Sequence, residues 1–218
     1  LPFMALFVMY KDWRDQVHRY YALLTVSGFG ILFTMFITYA FPDSPFLTEI
    51  NRITQAATAF TFTSLFGVSL VFPKGERRFP FKYSVLIFFP TIIISVIANF
   101  TDWNITAAYF KEGVLVRDFN FFYVYYALVV LIYLLLGTGN FIIKYFRTTV
   151  RIYRLQMRFV FIGTSIGIMG GAVCSIVLPR FFGYSELYVL GPSLASFIAF
   201  GSLFYSIISY NVMDITTA

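Results

Sequence analysis

Six stretches of this chain contain no Asp, Glu, Lys, Arg or His: residues 20–41, 53–72, 83–100, 121–143, 159–178 and 187–210. Each is 18 to 24 residues long, and no other feature limits the fold so severely. An α-helix rises about 1.5 Å per residue, so every stretch reaches across a hydrocarbon core roughly 30 Å thick. No water is available there to backbone N–H and C=O groups, and a helix satisfies them within one segment. All six read as spanning helices. Residues 1–10 are as apolar, but a helix of that length covers only about 15 Å, and the segment lacks the basic start of a signal peptide. It reads as a spanning helix without its outer half. The expected fold class is an all-α integral membrane protein, a seven-transmembrane bundle with a truncated first helix, forming one domain over residues 1–218. Composition agrees: 59% of residues are hydrophobic and 12% charged, against about 45–50% and 25% in soluble domains.

The basic residues predict the orientation. Short cytoplasmic loops carry the excess of Lys and Arg. Here twelve fall in the loops of one face (Lys11, Arg14, Arg19; Lys74, Arg77, Arg78, Lys82; Lys144, Arg147, Arg151, Arg154, Arg158) and four on the other (Arg52, Lys111, Arg117, Arg180). The first face is expected inside, giving an outer N-terminus and a cytoplasmic C-terminus. The net charge of +6 then follows from topology and contact with anionic lipid, and it calls for no nucleic-acid partner.

The loop 101–120 carries two β-prone runs, 105–110 and 114–119, around Lys111-Glu112-Gly113. It is expected to form a hairpin over the outer mouth, between the fourth and fifth helices. Trp103, Phe121, Phe122 and Tyr123 beside it read either as an interfacial aromatic belt or as part of a site. Within 144–158 basic residues recur every three or four positions, which on a helix makes one stripe, either a solvated face on anionic headgroups or part of a cytoplasmic lever. Gly163, Gly167 and Gly171 repeat at every fourth position and predict close helix packing within the bundle. The third span is rich in Thr54, Gln55, Thr58, Thr61, Thr63 and Ser64, whose hydroxyls either bond to carbonyls one turn back or line a polar cavity. Pro90 and the pair Gly191-Pro192 predict kinks that can act as hinges.

Much chemistry is excluded. The spans carry no buried charge, the usual mark of proton relays and ion-coupled transport. The last span has no lysine for a retinal Schiff base. There is no metal-ligand cluster or phosphate loop, His18 has no nucleophile partner in sequence, and the single cysteine, Cys174, reads as a buried apolar thiol. Asn104-Ile105-Thr106 fits a glycosylation triplet only formally. No catalytic residue, metal or cofactor is expected.

Leu155-Gln156-Met157-Arg158, the glycine-rich sixth span, Leu178-Pro179-Arg180-Phe181-Phe182-Gly183, Gly191-Pro192-Ser193 and the ending Tyr210-Asn211-Val212-Met213-Asp214-Ile215 together resemble a known family. It is the N-terminal seven-transmembrane sensor region of bacterial histidine kinases and diguanylate cyclases. The resemblance implies a bacterial inner-membrane input domain whose last helix feeds a cytoplasmic enzyme of a signal-transduction system. That enzyme would lie beyond Ala218, and the full-length protein would be a homodimer.

From the residues themselves, charge-free spans, a polar third helix and an outer hairpin favour a receptor. The alternatives are a transporter or channel for a neutral solute and a structural membrane subunit. The expected ligand site lies under the hairpin, among Tyr39, Asn51, Gln55, Thr58, Asn99, Trp103, Tyr123 and Tyr126. Small-molecule pockets are mostly apolar with a few placed polar groups. The ligand is expected to be small and largely apolar, with Arg52 and Arg117 available to a carboxylate or phosphate head if it is lipid-like. Membrane lipids are the other expected partner.

Overall fold

A computed structural model describes residues 1–73, 80–111, 113–172, 194 and 196–208, with the side chains at 81, 168, 169, 171 and 172 excepted. The elements are α1 (Pro2–Lys11), α2 (Gln16–Ala40), α3 (Leu47–Val71), α4 (Phe81–Phe100), β1 (Ile105–Lys111), β2 (Val114–Phe119), α5 (Phe122–Arg147), α6 (Arg151–Ala172) and α7 (Ser196–Ile208). Among the described residues α2, α3, α4 and α5 are long and apolar enough to cross a membrane. The first eight residues of α6 include Arg151, Arg154 and Arg158. The expected spans 159–178 and 187–210 lie partly outside the described residues, as do Cys174, Gly191 and Pro192.

Local chemistry sets the boundaries. The Asp15 carboxylate accepts from the Val17 N–H at 2.9 Å and opens α2. His18, buried beside it, is 2.7 Å from the Asp12 carbonyl through Nδ1 and closes the turn from α1. At the hairpin, Gly113 adopts φ +77°, a conformation that a side chain disfavours. Its antiparallel strands pair from Ile105 with Phe119 to Lys111 with Val114, close to the expected runs.

The exterior of the bundle departs from the pattern of a soluble protein, and hydroxyls share its interior with the apolar core. Phe36, Leu86 and Leu135 stand more than half exposed, whereas Thr25, Thr63, Ser64, Ser69 and Thr91 are buried. An apolar exterior on that scale needs a lipid solvent. α3 is the hub and packs against α2, α4, α5 and β1. Its hydroxyls follow the blander expectation: Thr54, Thr58, Thr61 and Thr63 donate to Ile50, Thr54, Ala57 and Ala59 carbonyls at 2.8–2.9 Å. Thr63 also meets Thr91 of α4 at 2.5 Å, one residue from Pro90. The main core joins α1, α2, α3, α5, α6 and α7 through Val8, Tyr21, Leu24, Val68, Phe141, Val160 and Leu203.

The basic segment 144–158 departs from the expected single stripe. The helix breaks between Arg147 and Arg151, and Arg154 folds back onto the Thr148 carbonyl at 2.9 Å. Lys144 turns inward, where its ammonium donates to the Leu70 and Phe72 carbonyls at 2.8 and 2.7 Å. The last carbonyls of a helix have no partner within it, and a cation there complements both the lone pairs and the dipole. Asn140, one turn earlier, donates to the Ser69 carbonyl at 2.8 Å. Together they fasten the basic end of α5 to the end of α3.

Candidate functional site

The hairpin is held to α3 by polar side chains. Arg52, 9% exposed, donates to the Ile105 carbonyl from Nε at 3.2 Å and Nη2 at 2.7 Å, and pairs with Asp102. Burying a guanidinium is costly unless it is fully bonded, and these contacts supply its partners. Arg117 of β2 donates from Nε to Asn51 Oδ1 at 2.8 Å, while Asn51 Nδ2 donates to the Leu47 carbonyl at 2.8 Å. Gln55 Oε1 accepts from Asn104 Nδ2, and the Gln55 carbonyl accepts from the Tyr126 hydroxyl at 2.8 Å. Thr48 Oγ1 accepts from the Ala108 N–H at 3.1 Å. One face of α3, from Thr48 to Gln55, therefore carries the hairpin.

The residues expected to form a ligand site come together unevenly. Asn51, Arg52, Gln55, Arg117 and Tyr126 form this clamp: Arg117 bonds to Asn51 and Tyr126 to Gln55, while Arg52 is taken up by Ile105 and Asp102. Tyr123 stacks between Phe119 at 4.0 Å and Tyr126 at 6.0 Å between ring centroids. Trp103 lies against Phe121, and Tyr39 meets Phe110 edge-on at 5.5 Å. Asn99 and Thr58 donate to their own helices, to Ser95 and Thr54. Asn104, the first residue of the formal glycosylation triplet, is fully buried.

A second feature lies deeper in the bundle: an apolar cavity of about 280 Å³. α2 contributes Leu24, Gly28 and Ile31; α3 contributes Thr61, Phe62 and Leu65; and Leu134 comes from α5. Thr164 and Gly167 of α6 and Ser196, Ala199, Phe200 and Leu203 of α7 complete it. The hydroxyls of Thr61 and Thr164 donate to the carbonyls of Ala57 and Val160 in their own helices at 2.8 and 2.7 Å. The wall they leave is mostly hydrocarbon. Such a cavity can take a small apolar molecule but offers no partner to a charge.

Of the residues marked out by the sequence, Thr61 and Gly167 line this cavity, while the residues expected under the hairpin do not. Gly163, one turn earlier, faces α7 so closely that a Cβ there would overlap Ser202. The surroundings of Gly171 lie outside the described residues. Gly28 and Ala199 were available as signals, being small residues of α2 and α7. Their common level in the bundle, however, is a tertiary fact. Pro90 sits inside α4 with its neighbouring carbonyl, that of Ile87, accepting from the Tyr133 hydroxyl of α5. No group of metal ligands occurs among the described residues.

A family model described as the N-terminal 7TM region of histidine kinase matches residues 2–216. No curated protein and no solved structure matches the chain.

Proposed function

We propose that this chain, which belongs to the family of N-terminal 7TM regions of histidine kinases, senses a small, largely apolar or lipid-like signal inside its bundle. The signal passes through the last helix to a cytoplasmic enzyme. The supporting observation is the cavity whose wall is shared by α7 and four other helices. A ligand shifts an equilibrium only by binding one arrangement better than another. A molecule touching Ala199, Phe200 and Leu203 on one side and Thr61 and Phe62 on the other senses the position of α7 directly.

In this reading the clamp around Arg52 is a fastening rather than a receptor for a charged head, since Ile105 and Asp102 occupy that guanidinium. The 12 to 4 split of basic residues supports a cytoplasmic C-terminus in a bacterial inner membrane. The full-length protein is read as a homodimer. A path for a neutral polar solute has less support, because the threonines of α3 spend their hydroxyl protons on their own backbone.

The test uses the parent kinase in nanodiscs, with autophosphorylation measured over a series of 1-alkanols and fatty acids. Ala199→Phe, which fills the cavity, is expected to abolish any response while Arg117→Gln preserves it. A response untouched by Ala199→Phe removes the cavity from the mechanism.

A further inference from the structure

We infer that the groove between α2 and α4 binds one anionic phospholipid from the leaflet at the basic end of the bundle. α2 and α4 both pack on α3. Between them lies a groove of about 470 Å³, lined among the described residues by these two helices.

The groove is amphipathic along its length. Arg19 and Gln16 stand at one end, in the first turn of α2. Leu23 of α2 and Val85, Phe88 and Ile92 of α4 supply the apolar part. From Ser84 to Ile92 the helix rises about 12 Å, enough to seat a substantial part of an acyl chain. Between the two parts the Tyr20 hydroxyl and Ser84 Oγ meet at 2.6 Å and bridge the helices. The floor is built in advance: the Tyr20 ring stacks on Phe88 at 6.2 Å, and Phe88 stacks in turn on Phe60 of α3 at 6.2 Å.

Charge selects the occupant. Arg19 is exposed, and among the described residues it makes one hydrogen bond, from Nη2 to the Arg14 carbonyl at 2.9 Å. A guanidinium has five N–H donors, so others remain for a phosphate oxygen. Lys82 lies at the same end, in the first turn of α4, with Lys11 closing α1 and Arg14 in the segment before α2. The two acids of that segment are turned to main chain: Asp12 accepts from the Arg14 N–H and Asp15 from the Val17 N–H, each at 2.9 Å. An anionic head beside Arg19 with a chain running past Phe88 satisfies both halves of the groove. A zwitterionic lipid brings a second positive charge to an already basic end.

Native mass spectrometry of the full chain released from nanodiscs tests this, with phosphatidylglycerol and phosphatidylcholine of identical chains as probes. One phosphatidylglycerol is expected to remain bound in preference to phosphatidylcholine. Arg19→Gln is expected to reduce that preference about fivefold, the worth of one interfacial arginine near anionic lipid. Val85→Trp, on an exposed position that fills the groove, should remove the retained lipid, and Arg151→Gln in a different basic segment should leave it in place. Equal retention of the two lipids overturns the assignment. So does a preference unaffected by Arg19→Gln and Val85→Trp, or one lowered as much by Arg151→Gln, which would mark diffuse attraction to the basic face.

Discussion

Replacing Gly163 with alanine tests the contact between α6 and α7 with the smallest perturbation available. The added Cβ overlaps both Oγ and Cβ of Ser202, and the Ile198 carbonyl oxygen is a further 3.5 Å contact. Rotation about χ1 carries the serine hydroxyl away, at the expense of its 2.8 Å bond to the Ala199 carbonyl. The serine Cβ cannot rotate away, because it is fixed to the backbone of α7. The helices must therefore separate until the carbons regain roughly 3.5–4.0 Å. Overpacking of this kind costs about 1–3 kcal/mol, against a gain of about 1 kcal/mol from exchanging glycine for alanine within a helix. Gly163→Ala should therefore destabilise by up to about 2 kcal/mol. In a Ser202→Gly background the overlapping atoms are gone and only the propensity gain remains, so the same substitution should become stabilising. Unfolding by SDS titration from mixed micelles gives the coupling energy as a double-mutant cycle. An effect of Gly163→Ala that is equal in both backgrounds refutes the close approach of these two helices.

Arg52→Met strands the fully buried Ile105 carbonyl and should cost about 1–3 kcal/mol. Asp102→Asn, at a carboxylate 77% exposed, should cost less than about 1 kcal/mol, and thermal unfolding in detergent ranks the two. Lys144→Met removes the donors on Leu70 and Phe72, so amide exchange in the last turn of α3 should accelerate while its first turns remain protected, as read by mass spectrometry. Cysteine at position 111 should react with an impermeant reagent in intact cells and cysteine at position 151 should not; the reverse pattern would invert the expected orientation.

What could be read from sequence depends on how far each structural fact reaches along the chain. The absence of charge over 18 or more residues placed the expected spans 20–41, 53–72, 83–100 and 121–143 within six positions of α2, α3, α4 and α5, because backbone satisfaction in lipid is a local demand. The hairpin was legible for the same reason, since two β-prone runs around Gly113 need only each other. Partners were not legible. Arg52 and Arg117 read equally well as ligand contacts, and nothing near them in sequence points to Ile105 or Asn51, each more than fifty residues away. Lys144 was grouped with its basic neighbours because every basic residue past a span looks alike until the end of another helix is found beside it. The cavity draws on five helices at one depth, and depth is a property of the packed bundle.

These long-range contacts bear on how a signal would travel. α3 is fixed near both ends, by the hairpin clamp at Arg52 and Gln55 and by Asn140 and Lys144 at Ser69, Leu70 and Phe72. On the opposing cavity wall, the polar ties of α7 to other helices among the described residues are chiefly the Tyr21 hydroxyl on the Phe200 carbonyl at 3.1 Å and a 3.4 Å contact from Ser206 to the Gln156 carbonyl. Gln156, at this junction of α6 and α7, has a buried side-chain amide with no hydrogen-bond partner among the described residues. A polar group left so costs about 1–3 kcal/mol, so an arrangement of α7 that gave it a partner would be favoured by a comparable amount. In the proposed reading, with α3 held at both ends, a ligand between the two helices acts on α7, and the Gln156 junction is where a second arrangement of that helix would gain stability.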